Sequence, residues 1–359
     1  MSPKCGNMEG EDAEMEHVYA VIMAGGKSER FWPMGRKNSP KQLLPLTGER
    51  SMLQETVDRI RPLIAGDHII VMTNSAIAEK IRSQLPELPE ENIIVEPEAR
   101  DTAPCIALAA AQLFRRDPDS VMCVMPADHV IGEAEVFRRS LGSACTLAQK
   151  EELLITLGIP VTYPATGYGY IKEGKKISPE YALVAEFKEK PSLEVARQFM
   201  EQQEYFWNSG IFIWKSAVIL KEFETFQPDM YKVIQSWMGG AAYEDSFKNL
   251  QRISIDHAIL EKTRKAAVCR APFSWNDIGS WKGLREFRES KSMSTETGNN
   301  IYTLDSSGNL ILTDDGSAVA VIGLNNIAVI KSGNGILVCS LDDEQKVKDL
   351  VRRMPEELQ

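Results

Sequence analysis

No stretch of this 359-residue sequence stays apolar long enough to cross a membrane. The longest weakly polar run, residues 102–114, has 13 residues, and a bilayer needs about 20. Cysteine is sparse and unpatterned. None of the six (Cys5, Cys105, Cys123, Cys145, Cys269, Cys339) stands at CxxC spacing, so zinc-binding and dithiol redox motifs lack support. Cys105, Cys123, Cys145 and Cys339 sit among apolar neighbours and read as small buried thiols. There is no basic block. The 41 Lys and Arg face 51 Asp and Glu, for a net charge of −10. That argues against general nucleic-acid binding, which neutralises phosphates with Lys and Arg, but it leaves room for an anion held by a few placed cations. No signal peptide is visible, and a reducing cytoplasm is the expected setting. What is present, 43% hydrophobic and 26% charged residues, is ordinary globular composition. The length fits two or three domains on a prior of roughly 150 residues each.

Residues 1–17 read as a disordered acidic tail. Glu9, Glu11, Asp12, Glu14 and Glu16 oppose a single Lys4, with almost no large apolar side chain. From Val18 onward, short apolar runs alternate with helical spacing. Strands are predicted over 18–23, 68–72, 92–95, 121–125 and 153–157, and helices over 51–60 (with Ser51 as N-cap), 76–85, 102–114 and 134–149. Such alternation means βαβ units and a mostly parallel sheet, and the lack of in/out alternation in the strands means helices on both faces. Residues 158–290 are more mixed, with strands over 168–172, 182–187 and 210–214 and helices over 193–200, 216–223 and 255–261. After Ser294, strand candidates at 300–304, 310–313, 318–322, 327–330 and 336–338 are separated by turn clusters such as Asp314-Asp315-Gly316 and Ser332-Gly333-Asn334-Gly335. They define a compact all-β unit, either a stacked β-helix-like coil or a small sandwich, closed by a charged helix over 342–353. The expected organisation is an α/β domain over 18–293 and a β unit over 294–359.

Five motifs carry candidate chemistry. Ala24-Gly25-Gly26-Lys27-Ser28-Glu29-Arg30-Phe31-Trp32-Pro33, with Ser39-Pro40-Lys41-Gln42 behind it, follows the first strand. Ligands bind at the carboxyl ends of parallel strands, and glycines let backbone N–H groups approach phosphate oxygens. The same loop is also compatible with a plain tight turn bearing solvated charges. It is neither a Walker A loop, which would need glycine where Val21 stands, nor a GxGxxG fingerprint, since only two glycines are present. Asp128, in Met125-Pro126-Ala127-Asp128-His129, could hold Mg²⁺ or simply cap a helix. The same two readings apply to Asp277 in Ser274-Trp275-Asn276-Asp277-Ile278-Gly279-Ser280-Trp281. Lys190, in Phe187-Lys188-Glu189-Lys190-Pro191, could pair with a phosphate or be solvated surface. Asn208-Ser209-Gly210 could line a sugar site or form a turn.

Taken together and in order, these motifs, with Glu96-Pro97, Arg100-Asp101-Thr102-Ala103-Pro104 and Gly167-Tyr168-Gly169-Tyr170, resemble the sugar-nucleotide pyrophosphorylase superfamily. The similarity is greatest to its short bacterial mannose-1-phosphate guanylyltransferases, over roughly residues 18 to 340. The resemblance implies a Rossmann-like nucleotidyltransferase domain and transfer of GMP from GTP to α-D-mannose 1-phosphate, giving GDP-mannose and pyrophosphate. It implies that Ala24, Gly25, Gly26, Lys27 and Ser28 hold the nucleotide, with Arg30 and Lys41 on its phosphates and Arg100, Asp101 and Thr102 near the base. It places Asp128 and Asp277 on Mg²⁺, with Asp128 also at the nucleotide. Gly158, Tyr168, Gly169, Glu189 and Asn208 would surround the mannose, with Lys190 on its phosphate. Arg30, Lys41 and Lys190 are the expected catalytic cations, and a homodimer joined through the β unit is the expected assembly. Two departures stand out: Ser28 occupies a position where many relatives have glycine, and Asp101 one where asparagine is common. An isomerase domain fused onto longer relatives is not found, so a single activity is expected. A related enzyme with another base or hexose, or a silent GDP-mannose-binding homologue, are the rival expectations.

Overall fold

The computed structural model describes residues 15–26 and 28–359. The expected tail and Lys27 therefore lie outside the described residues, except at 15–17, where the expectation of disorder needs correction. Met15 packs on the core, its carbonyl accepts from Val18 N at 3.1 Å, and His17 Nδ1 lies 2.8 Å from the Asp117 carboxylate. One apolar side chain and one ion pair are enough to fasten this end.

In chain order the first strands are β1 (Val18–Met23), β2 (Ile69–Asn74), β3 (Ile93–Glu96), β4 (Val121–Pro126), β5 (Val130–Ile131), β6 (Leu154–Pro160), β7 (Tyr170–Lys176), β8 (Tyr181–Lys188), β9 (Tyr205–Lys215), β10 (Ala266–Arg270) and β11 (Trp275–Asn276). Among the described residues, nine of these form one sheet in the order β3-β2-β1-β4-β9-β6-β10-β8-β7, and β5 pairs with β11 as a separate ribbon. Strands β1 to β4 run parallel, and β9 enters antiparallel beside β4. The covering helices are α1 (Met52–Ile60), α2 (Ala78–Gln84), α3 (Thr102–Arg116), α4 (Ala134–Lys150), α5 (Leu193–Met200), α6 (Ser216–Phe226), α7 (Pro228–Met238) and α8 (Glu244–Phe247). Successive residues of β1 serve opposite layers. Val18, Ala20 and Ile22 pack with α1, α2 and α4, while Tyr19 and Val21 pack with α3, α6 and α7. This two-sided burial is why the strand reads as an unbroken apolar run. Ser51 caps α1 with a full capping box: its hydroxyl accepts from Gln54 N, and the Gln54 side chain accepts from Ser51 N.

Four features depart from the sequence expectation. Asn208-Ser209-Gly210 lie inside the 11-residue β9, with Gly210 at φ +71°, so the motif neither opens a strand nor forms a free turn. The expected helix at 255–261 is a single π-helical turn, Asp256–Leu260. Helix α7 and strand β10 were not foreseen. β10 is five residues long and pairs with β6 and β8, more than 70 residues earlier in the chain, which local patterning cannot reveal. The terminal helix over 342–353 is broken into a 3-10 turn, Glu344–Lys346, and a short α-helix, because the chain there docks on another element.

After α9 (Trp281–Ser290) the chain enters the β unit: β12 (Glu296–Thr297), β13 (Ile301–Leu304), β14 (Leu310–Thr313), β15 (Val319–Ile322), β16 (Ile327–Ser332) and β17 (Gly335–Ser340), then α10 (Val347–Val351). β12, β14 and β16 stack in parallel, as do β13 and β15, and β17 closes antiparallel on β16. Parallel stacking of consecutive turns is the β-helix-like coil, not the sandwich. Its core is continuous with the first domain. Leu310, Leu312 and Ile330 pack with Phe31, Trp32 and Trp281, so the loop after β1 and the β unit share one apolar cluster.

Candidate functional site

β1 lies between β2 and β4, and Met23 pairs with Pro126. Chain order reverses across this point, which opens a crevice at the strands' carboxyl ends. The loop after β1 is held from below. Ala24 N donates to Met72 O at 2.8 Å, and the buried amide of Gln42 donates to Ala24 O at 2.8 Å. Ser28 takes the left-handed conformation, φ 50° and ψ 31°, the reason glycine suits this position. Serine offsets that strain with a bond glycine lacks, because its hydroxyl accepts from Lys41 N at 2.8 Å.

Lys41 is the hub of the crevice. It is only 5% exposed, and its Nζ donates to Asp128 O and Asp128 Oδ2, both at 2.9 Å, and to Asp277 O. All three ammonium N–H groups are thus engaged by protein, and the loops after β4 and β11 are tied together. Burial opposes the charge on Asp128, yet the Lys41 ammonium outweighs it and holds the carboxyl below its ordinary value. Asp277 Oδ1 accepts from the Tyr168 hydroxyl at 2.7 Å. Burial and the Asp277 charge push the Tyr168 phenol far up, so it remains a donor. Burial lowers His129, whose Nδ1 accepts from Trp275 Nε1 at 3.2 Å, which marks a neutral ring held by its neighbour. Gly25, Gly26, Ser28, Arg30, Lys41, Asp128 and Asp277 line one cleft of about 710 Å³. Among the described residues Arg30 donates only to Gly279 O, at 3.4 Å.

A second cavity, about 620 Å³, is lined by Asp101, Thr102, Glu189, Lys190 and Asp256, and Arg252 borders both. Lys190, at φ +44°, pairs with Glu189 at 2.7 Å. Burial opposes its charge, but the Glu189 carboxylate wins and raises the ammonium above its ordinary value. A Cβ on Gly169 would stand 2.6 Å from Glu189 Oε2 and 3.4 Å from Asn208 Cβ, so these three residues meet. Gly158 pairs with Asn208 across β6 and β9. A Cβ there would strike Val268 and Phe206, a packing requirement. The structure therefore brings Asp101 and Thr102 to the cavity of Glu189 and Lys190 rather than beside Gly25. Arg100 turns aside, donating to Leu250 O at 3.3 Å and pairing with Glu98 at 2.6 Å.

Four contributors were missed: Asp256, Arg252, Lys348 and Arg352. Asp256 Oδ1 accepts from Asn208 Nδ2 at 3.1 Å, and burial together with the Glu189 charge pushes its carboxyl up to about 7. A carboxylate beside the apolar run Ala258-Ile259-Leu260 was the available signal. Lys348 and Arg352 sit in a charged terminal helix with no signal of their own.

Asp128 and Asp277 each have one carboxylate oxygen engaged, by Lys41 and by Tyr168, which leaves the other without a protein donor among the described residues. No group of three or more His, Cys, Asp or Glu converges to hold a metal among those residues. Two carboxylates with free oxygens suit Mg²⁺, which takes one or two carboxylates and completes its shell with phosphate oxygens and water.

A glycine loop at a topological switch point, with two aspartates braced by one lysine, is the site of a nucleotidyl transferase. The nucleotidyl transferase family model matches residues 19–292, and a mannose-phosphate isomerase/GMP-like β-helix domain matches residues 298–354. The chain belongs to the nucleotidyl transferase family, and its place there is among the mannose-1-phosphate guanylyltransferases. It is 36% identical over 350 residues to the mannose-1-phosphate guanylyltransferase of Salmonella muenchen, covering 94% of this chain and 73% of that one. The Escherichia coli protein of the same name is 35% identical, over 93% and 75%. A crystal structure from Thermus thermophilus, described as a mannose-1-phosphate geranyltransferase, superposes with a TM-score of 0.84 at 30% identity, covering 94% of this chain and 99% of that one. Among the described residues no helix is long and apolar enough to cross a membrane.

Proposed function

We propose that this protein transfers GMP from GTP to α-D-mannose 1-phosphate, releasing pyrophosphate and GDP-mannose. The observation that carries this reading is Lys41 clamping the loops of Asp128 and Asp277 together at the carboxyl ends of β1 and β4. Both substrates are anions. Two unit charges about 4 Å apart at an effective dielectric near 20 repel by roughly 4 kcal/mol, and multiply charged groups repel more. The site answers with cations. Arg30, with no carboxylate partner among the described residues, faces the triphosphate over the Gly25-Gly26 loop. Lys190 faces the sugar phosphate, positioned by Glu189. Asp128 and Asp277 would hold Mg²⁺, which supplies positive charge at the phosphate oxygens. Lys41 works through them, by fixing their loops.

The attacking phosphate oxygen is already ionised, so no protein base is needed, and the neutral, buried His129 fits a supporting role. The oxygen bonds to the α-phosphorus as the bond to the pyrophosphate oxygen breaks, with positioning and charge stabilisation carrying the rate. Gly169, Glu189, Asn208 and Asp256 supply acceptors and one amide for hexose hydroxyls, while Asp101 and Thr102 border the same cavity. We also read the protein as cytoplasmic and homodimeric. Free buried thiols such as Cys123 and Cys145, 3.2 Å apart, support a reducing setting. Tyr302, Leu304, Ile322 and Leu324, each half or more exposed on and just after β13 and β15, form an apolar patch suited to a second copy.

The test is pyrophosphate release with four nucleoside triphosphates and several hexose 1-phosphates. GTP with mannose 1-phosphate should give the highest kcat/KM. A higher value for another pair would reassign the substrates, and GDP-mannose binding with no pyrophosphate release from any pair would reject the enzyme reading.

A further inference from the structure

Two cations reach the phosphate cleft from the far end of the chain. Helix α10 lies on the 3-10 turn Glu29–Phe31 of the glycine loop. Its Val347 and Val351, four residues apart, are buried beside Phe31, Trp32 and Trp281. Lys348 and Arg352, with the same spacing on the adjoining face, border the cleft of Gly25, Gly26, Asp128 and Asp277. The helix is anchored on both sides. Before it, buried Glu344 accepts from Lys282 N at 2.8 Å. After it, Trp32 Nε1 donates to Leu358 O at 2.8 Å and Lys37 pairs with Glu356.

The charge pattern of this cleft is unusual for a chain of net charge −10. Arg30, Arg252 and Lys348 make no ion pair among the described residues. Arg352 donates Nε to Glu29 Oε2 at 3.0 Å, and its Nη2 lies 2.9 Å from the same oxygen as an ion pair. Unneutralised cations gathered in one concavity favour a polyanion, and a guanidinium already set against a carboxylate can pass to phosphate oxygens without changing its mode of contact. Arg252 borders both cavities, whereas Lys348 and Arg352 border the phosphate cleft and Arg352 pairs with Glu29 of the glycine loop, so α10 adjoins the glycine loop rather than the sugar cavity.

We propose that α10 completes the triphosphate site, with Lys348 and Arg352 binding the phosphates that leave as pyrophosphate and Glu29 holding Arg352 until a phosphate displaces it. The inference rests on the nucleotidyl-transfer reading above and adds to it a role for the C-terminal unit: the β coil sets the helix against the glycine loop, and the helix reads the leaving group.

The experiment compares wild type with Lys348→Ala/Arg352→Ala in both directions of the reaction. The KM values for GTP and for pyrophosphate should rise about tenfold or more, while those for mannose 1-phosphate and GDP-mannose stay within about twofold. The charge-keeping Lys348→Arg/Arg352→Lys should recover most of the loss. Calorimetry with inorganic tripolyphosphate is run on the same proteins and does not depend on turnover; weaker binding by the alanine variant supports the proposal. Unchanged KM values for GTP and pyrophosphate overturn it, as does an equal rise in all four constants, which would make α10 a structural brace only. If wild type turned over no substrate pair, the parent reading would fail while the tripolyphosphate arm still decided this one.

Discussion

Replacing Lys41 with methionine keeps the length of the side chain and removes its charge and its three donors. The consequences can be sized from the contacts. Asp128 Oδ2, Asp128 O and Asp277 O all lose their partner at once. Breaking a buried ion pair from one side costs about 3–5 kcal/mol. The Asp128 side chain, however, remains 33% exposed, so water repays part of the loss and about 2 kcal/mol is the expected destabilisation. For a chain of this size that lowers the melting temperature by roughly 3 °C, which leaves the protein folded at assay temperature. Turnover should fall further than stability, by about 10²–10³, the range seen when one preorganised electrostatic group is lost, because the two aspartates are no longer held together. The assay is pyrophosphate release at saturating GTP and mannose 1-phosphate, alongside thermal unfolding. Lys41→Arg separates charge from geometry. Its planar guanidinium cannot set its donors on Asp128 O, Asp128 Oδ2 and Asp277 O as the compact ammonium does, so it should remain impaired. A methionine variant that melts lower yet keeps kcat within a few-fold of wild type would refute the idea that Lys41 arranges the site.

Asp277→Asn should cut turnover by orders of magnitude with little change in melting temperature, since Tyr168 can still donate to the remaining oxygen; near-normal turnover with the same Mg²⁺ dependence would reject the assignment. Ser28→Gly relieves a left-handed conformation worth about 1 kcal/mol but loses the bond to Lys41 N, also worth about 1 kcal/mol, so stability and kcat should both stay close to wild type; a loss above about 2 kcal/mol in denaturant titration would show the strain offset misjudged. Asp256 is pushed from 3.8 to about 7 by burial and the Glu189 charge, with Asp101 adding to the rise and Lys190 opposing it. A raised carboxyl binds its proton more tightly when folded, so its contribution favours the fold below about pH 4 and is lost as pH rises to 7. Asp256→Asn should therefore gain stability on wild type between those pH values, by at most about 4 kcal/mol, and parallel stability–pH curves would contradict this.

The elements most legible in the residues were those whose partners are near in sequence. β1 to β4 with α1 to α4 show as apolar runs and helical spacing because the strands are largely buried on both faces and alternate with the helices along the chain. The glycine loop and Asp128 could be placed at strand ends for the same reason, since a strand's carboxyl end is visible wherever an apolar run stops. β10 could not be read: its five residues acquire meaning only between β6 and β8. Lys41 shows a subtler limit. Its type suited a phosphate, but only the fold reveals that three protein oxygens already occupy its donors. Arg100 is the converse, since it belongs to a motif yet turns toward Leu250.

Lys348 and Arg352 mark where local reading must stop. On any short charged helix two cations one turn apart are solvated surface, and nothing within 342–353 distinguishes these. What changes their meaning is a contact more than 300 residues back in the chain, where Phe31 and Trp32 form an apolar seat for Val347 and Val351. That seat explains why the glycine loop ends in two large aromatics rather than polar turn residues. Phe31 lines the phosphate crevice and both aromatics enter the core of the β unit, so the geometry of the loop and the position of the helix are set by one packing event. Weakening that packing should then loosen both together, which makes the coil a structural part of the phosphate site and not an appendage to it.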